Sequence, residues 1–166
     1  MRKALRLIIP VAVGLGLAAV IIFSYLNFFS GAFSPEDAVK GYIRASMVQD
    51  VNDMLRYSSE YQKVVLYGSR DYTDGKLKNR LKTAYKDSES IYADSKISFS
   101  VESVIEIRDD TDEYAYVSAE YEYMTGKTDI SDISQVTVKV FVDGQQKQKS
   151  TVYAVKSGIS WYYTDI

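Results

Sequence analysis

Leu7 to Phe29 constrains this chain more than any other feature: a continuous apolar run, rich in Leu, Ile, Val and Phe, with no charged residue in it. At about 1.5 Å of helical rise per residue it reaches about 34 Å, enough for a hydrocarbon core of about 30 Å. In that medium a lone segment must satisfy its own backbone groups, which only a helix does. Arg2, Lys3 and Arg6 precede the run, whereas the first charges after it are Glu36 and Asp37. Cations resist translocation, so residues 1–6 are expected as a cytoplasmic tip and 7–29 as a single-pass signal anchor in the cell membrane. Residues 30–34 then form a linker and 35–166 an extracytoplasmic domain. The competing arrangement is a cleaved leader, with Ser30-Gly31-Ala32 offering small residues before a cut at Phe33. The run outlasts the roughly 7–15 apolar residues of such leaders, which favours the anchor. Ala12/Gly16 and Gly14/Ala18 are small residues four apart, a candidate seam for a homo-oligomer.

Beyond the run the chain is polar, charged and periodic, and from Ser34 onward it is long enough to bury one core. Three of the 20 basic residues lie before the run, so the remaining 17 face all 22 acidic ones, a net charge of −5. An acidic domain has no electrostatic footprint for nucleic acid. With no cysteine there is neither a disulfide framework nor a lipid attachment point.

Ser34-Pro35-Glu36-Asp37 is a helix start, with a capping hydroxyl, proline at the first position and acids against the dipole. Val39, Tyr42, Ile43 and Met47 recur at helical spacing to about Gln49. Asp50 can cap a short second helix with Val51, Met54 and Leu55 inward. Ser58 to Tyr67 fits either a short strand or a helical turn, and Gly68 to Gly75 reads as a loop. A third helix is expected from Lys76 to about Ile91 on the stripe Leu77, Leu81, Ala84, Tyr85 and Ser88.

After Asp94 the period shortens to two. Ile97, Phe99, Val101, Ile105 and Ile107 predict a strand, Asp109 to Asp112 a turn, and Ala115, Val117, Ala119, Tyr121 and Tyr123 a second strand. Val136, Val138, Val140 and Val142 alternate most clearly, closed by the hairpin pair Asp143-Gly144. Thr151, Tyr153 and Val155, then Ile159, Trp161 and Tyr163, complete an antiparallel meander. Helices first and strands second predict an α+β fold, with helices on one face of a sheet.

Two stretches carry a family resemblance. The opening Ser34-Pro35-Glu36-Asp37-Ala38-Val39 with Tyr42-Ile43-Arg44-Ala45, and Asp50-Val51-Asn52-Asp53-Met54-Leu55 after it, resemble the first helices of the nuclear transport factor 2-like superfamily. The close, from Tyr153 to Tyr163 with Gly158 before Trp161, resembles that superfamily's final hairpin. The resemblance implies a cone: three helices packed on a curved, mainly antiparallel sheet of four to five strands. It also implies a cavity that members use for catalysis, for small ligands or for protein docking. Among membrane-anchored members are bacterial domains and the assembly-factor subunit of type IV secretion systems. The enzymes of the superfamily place His/Asp or Asp/Tyr sets in the cone, and this chain has no histidine.

Catalytic and cofactor chemistry find little footing. Nucleophile–base pairs lack Cys and His, phosphate loops are missing, and zinc has no soft ligand. Asp109-Asp110-Thr111-Asp112-Glu113 is read as a solvated acidic turn rather than a calcium loop, and Asp71 to Gly75 as a helix cap. Glu102, Glu106, Glu120 and Glu122 fall on the polar phase of their expected strands, where charge is normally solvated. Trp161 is assigned to core packing over ligand stacking. The expectation is therefore a non-catalytic scaffold with no catalytic, cofactor or metal residues. It docks envelope proteins through the non-core aromatics Tyr114, Tyr116 and Phe141 or through the cone mouth. Small-ligand binding in the cone is one alternative, and a secretion- or conjugation-system subunit like the assembly factor is the other.

Overall fold

Ser34 caps a helix as expected. In the computed structural model, which describes residues 30–166, its hydroxyl accepts the Asp37 amide at 3.2 Å and α1 (Pro35–Val48) follows. The expected tip and anchor, residues 1–6 and 7–29, lie outside the described residues. No helix among those described is long and apolar enough to cross a membrane. Ala38, Val39, Tyr42 and Ala45 form the buried stripe of α1, and Gln49 ends it in the left-handed region. Asp50 caps α2 (Val51–Tyr57), accepting from both Asn52 and Asp53. The ambiguous stretch resolves as helix: Ser59 caps α3 (Glu60–Tyr67) and Gly68 closes it. Thr73 caps α4 (Asp74–Tyr85), which begins inside the expected loop and ends before Ile91. Leu77 and Leu81 are buried, but Ala84 and Ser88 are exposed, so the apolar stripe runs out and the helix with it.

Four strands then form one antiparallel sheet in the order β1 (Ile97–Ile107), β2 (Ile130–Val142), β3 (Gln145–Ser157), β4 (Ser160–Thr164). Asp143 and Gly144, at φ +51° and +79°, make the two left-handed turn positions that a tight hairpin demands. Asp143 also ties the turn to β1, its carboxylate accepting the Lys96 amide at 2.9 Å.

The expected strand from Ala115 to Tyr123 is instead a helix, α5 (Asp112–Thr125). The Thr111 hydroxyl accepts the Tyr114 amide at 3.2 Å, Asp112 and Glu113 favour the helix amino end, and Gly126 terminates it. Val117 and Tyr121 are its buried residues, with Tyr114 and Met124 packed against the same cluster. The described domain therefore has five helices and four strands, not three helices and up to five strands.

α5 also changes the layering. Val136 and Val138 of β2, Ala154 of β3 and Tyr163 of β4 pack on Val39 and Tyr42 of α1. The opposite face at the start of β2 is buried too: Ile133, Ile107 and Val155 lie against Val117 and Tyr121 of α5 and Tyr61 of α3. Helices thus cover the sheet on both faces at that end. Each fully buried valine contributes about 1.5–3 kcal/mol, so β2 anchors both layers.

The two edges of the sheet differ. Along β4, the Ala32 and Trp161 backbones exchange hydrogen bonds at 2.9 and 2.8 Å, and the Ser59 amide donates to the Tyr163 carbonyl at 2.9 Å. Gly31, at φ +82°, permits this cover; a Cβ there would lie 2.7 Å from the Trp161 carbonyl oxygen. No described strand pairs with the outer edge of β1.

Two outcomes test this architecture. Gly31→Ala combines left-handed strain with a backbone clash and should cost about 2–5 kcal/mol in denaturant unfolding. Gly144→Ala, where nothing crowds the new Cβ, should cost only about 1–2 kcal/mol; equal costs would contradict the cover on β4. The second outcome concerns the core tyrosines. Tyr42 and Tyr163 stack at 3.9 Å between centroids, 7° from parallel. Burial pushes the Tyr42 hydroxyl up to about 12 against the donated hydrogen bond from Gln62, and burial likewise raises Tyr163 and Tyr121. A raised folded pKa means stability that is fully present below the unfolded value of 10.0 and lost as pH climbs towards 12. Alkaline unfolding followed by circular dichroism should coincide with a late tyrosinate absorbance step, and full ionisation near pH 10 with the fold retained would refute it.

Candidate binding site

The extra residue of β1 decides where its charges point. Register with β2 shifts between Val101, opposite Val138, and Ser103, opposite Thr137, so Glu102 is a bulge. Before it, the odd residues Ile97, Phe99 and Val101 share the face of α1; after it, Val104 and Glu106 do, opposite Val136 and Ser134. The unbroken phase expected from Ile97 to Ile107 is thereby corrected. Ile105 and Ile107 sit on the other face, and the two glutamates expected on one polar phase part company. Glu102 bonds Lys139 and Lys149 across the outer face, while Glu106 looks into the α1 side.

There Glu106 joins a groove of about 570 Å³. Pro35 and Glu36 of α1 form one wall, Val104 and Glu106 of β1 another, and Asp132, Ser134, Lys156 and Trp161 the floor across β2, β3 and β4. Lys156 is committed: its Nζ lies 3.2 Å from Asp132 and 5.8 Å from the centre of the Trp161 ring. The Ser131 hydroxyl, donating at 2.8 Å, and Lys156 hold the Asp132 carboxyl below its ordinary range against partial burial. Glu36 and Glu106 have no ion-pair partner among the described residues. With three carboxylates and one ammonium, the groove has a net charge of −2. Trp161 packs on the Val39 and Tyr163 cluster, as expected, and also lines the groove.

The aromatics expected as contact residues are placed otherwise. Tyr114 and Tyr116 lie on α5, not on a strand; Tyr114 is half-buried in the Ile133 cluster and Tyr116 is 62% exposed. Phe141 is half-buried on β2, opposite Ser98. It stands eight residues beyond Ile133, about 26 Å along the strand, so the three do not form one patch. Glu120 and Glu122 belong to α5 as well. Val101 and Val104 on one face of β1 and Ile105 on the other are exposed apolar residues along its open edge.

The acidic run does not form a calcium loop: Asp110 pairs with Arg108 at 3.2 Å, and Asp112 and Glu113 enter the first turn of α5. Glu113 accepts from Gln135 at 3.2 Å and from Tyr153 at 2.8 Å, fastening α5 to the sheet. No cluster of His, Cys, Asp or Glu suited to a metal occurs among the described residues.

A second polar cluster ties α3 to α4 and to the segment after α5. Glu60 accepts from Tyr72 at 2.9 Å and from Lys127, and Lys63 sits 3.3 Å from both Glu60 and Asp74. Lys63 is the buried member, so its two carboxylates offset a desolvation that would otherwise be costly. Burial by itself would raise the Glu60 carboxyl; the bond from Lys127, the charge of Lys63 and the bond from Tyr72 outweigh it and hold the group low. The cluster's charges are mutually satisfied, which marks it as a fastening rather than a receptor.

Glu60→Gln should therefore destabilise the domain by about 1–2 kcal/mol, a value reduced by the solvent that reaches the pair. A lowered folded pKa gives stability that is present above the unfolded value of 4.5 and lost as pH falls through the folded value. The difference between wild type and Glu60→Gln should shrink below pH 4.5; a constant difference would dismiss the carboxylate as its source.

In comparisons with known proteins, the chain matches no family model, no curated protein and no solved structure.

Proposed function

We propose that this chain is a non-catalytic, membrane-tethered docking module. Its domain stands outside the cytoplasm and holds an envelope protein at the open edge of β1. The observation that carries the proposal is the unequal treatment of the sheet's edges. β4 is covered by Ala32 and Ser58, whereas no described strand pairs with the outer edge of β1, where the Ile97 carbonyl accepts from Arg44 at 2.8 Å and Val101, Val104 and Ile105 are exposed. Soluble domains ordinarily close such an edge with a covering segment, proline or short length; here only a bulge and two glutamates interrupt it, and the unpaired edge suits the addition of another strand.

The tether follows from the charge-free run at Leu7 to Phe29 and the cations before it. A nuclear transport factor 2-like cone is the architecture this reading adopts, on the opening and closing motifs together with α1 and α2 packed beside a meander. α5 on the opposite face departs from the three-helix pattern. A small-ligand reading has one observation in its favour, since a 570 Å³ groove with Trp161 falls within the range of ligand sites. Its charged, open lining suits a peptide better than a drug-sized apolar molecule.

The test is proximity labelling in the native cell with the labelling enzyme fused after Ile166. A small, reproducible set of envelope proteins is expected, and Val104→Lys with Ile105→Lys should remove members of that set while thermal stability stays within about 0.5 kcal/mol of wild type. Only bulk membrane proteins, or a set unchanged by the edge variant, would reject the docking module.

A further inference from the structure

Resting on the membrane tether of the docking module just proposed, we infer a second membrane contact: the tip of the β3–β4 hairpin, with Phe33 beside it, enters the headgroup layer of the bilayer and sets Phe33 and Ile159 among the lipids. Both side chains are apolar and open to solvent, 72% and 66% exposed. Gly158, at φ +61°, turns the chain between β3 and β4 and leaves Ile159 at the tip, a place that polar residues ordinarily fill. Ala32 pairs with Trp161, so Phe33, the next residue, runs alongside that hairpin. One end of the domain therefore shows two large apolar side chains that its own core does not bury.

Chain length selects lipid as their occupant. The Gly31 amide donates to the Arg56 carbonyl at 2.7 Å, so the chain is fastened to the domain from that residue onward. Only Ser30 separates Gly31 from Phe29, the last residue of the charge-free run. Two residues of extended chain reach about 7 Å, and the headgroup layer of one leaflet is about 5–8 Å deep. A run that spans the bilayer thus leaves no linker long enough to lift this end of the domain clear of the headgroups.

Charge does not draw the tip there. Glu36 and Asp37 follow Phe33, and Lys156, just before the turn, is engaged by Asp132. The contact is an apolar one, of the kind that exposed aliphatic and aromatic side chains make at a membrane interface. Ile91 is more exposed still, at 82%, but it precedes β1, whose Ile97 faces Val142 at the other end of the sheet. The length of β3, about 40 Å, separates that end from the hairpin tip. Ile91 therefore matches the tip in chemistry and differs from it in place.

The chain has no cysteine, so single ones can be placed and labelled cleanly. The experiment puts a fluorophore on Phe33→Cys, Ile159→Cys and Ile91→Cys in the full chain, reconstituted in phosphatidylcholine liposomes. All three positions are exposed, so each variant should keep the wild-type melting transition, and the two tip positions are read independently. A lipid carrying a nitroxide on its headgroup should quench the label at positions 33 and 159 but not at 91. Aqueous iodide should quench the label at 91 and spare the other two. Adding phosphatidylglycerol should change neither result.

Equal access of iodide to all three positions would overturn the insertion, leaving the tip near the membrane but not in it. Quenching that appears only with phosphatidylglycerol would overturn the apolar contact. Should the labels at the tip behave like that at 91 while the edge variant still removes partners in cells, the docking module stands and this inference fails. A mature protein that begins at Phe33, read by intact mass from the native cell, would remove the tether and this inference with it.

Discussion

β2 supplies the longest buried row to the α1 side and a fully buried residue to the α5 side. Its inner face, Val136, Val138 and Val140, is fully buried on the α1 side, and Ile133 on its outer face is as fully buried beneath α5. A strand covered on both sides cannot slip by one residue without exchanging its two buried sets, so β2 fixes register for β1 and β3 alike. The stacked Tyr42 and Tyr163 then pin α1 to the far end of the sheet, and the Glu113 bonds to Gln135 and Tyr153 pin α5. With both helices fixed to the sheet, the variation left to the fold lies at its edges.

What the sequence made legible was local chemistry with a single geometric solution. Ser34-Pro35 can hardly be anything but a helix start, Asp143-Gly144 supplies the left-handed pair that a tight hairpin needs, and the valine ladder admits only period two. The segment 112–125 had two solutions. Ala115, Val117, Ala119, Tyr121 and Tyr123 alternate, while Tyr114, Val117, Tyr121 and Met124 recur at helical spacing, and tyrosine suits a strand as readily as a buried helix face. The signals that separate the two lie outside the periodic residues. Thr111 followed by Asp112 and Glu113 is a helix cap with acids in its first turn, and Gly126 stands where a helix of that length would stop. Had those ends been weighed before the period, the helix would have followed, and Tyr114 and Tyr116 would have fallen on different sides of it.

The groove was harder to read because it depends on one misfit residue. Apolar residues at Val101 and Val104 are three apart, a spacing that no regular strand accommodates, and only a bulge keeps both on the α1 side. That spacing was visible in the sequence. What was not visible is which partner residues would meet there, since Glu36, Glu106, Asp132 and Trp161 come from four separate elements and share no motif.

The bulge also explains how an open edge can be tolerated. An apolar, eleven-residue edge invites indiscriminate pairing, and the usual guards, lysine or proline within it, are missing between Ile97 and Ile107. A bulge adds local twist and breaks the flatness that edge-to-edge aggregation needs, and Glu102 at that point is drawn away across the sheet by Lys139 and Lys149. Glu106, exposed beyond the bulge, is a second guard, because a second copy of this acidic domain pairing there would bring like charges together. An edge guarded by twist and charge rather than by closure stays unpaired while resisting its own copies.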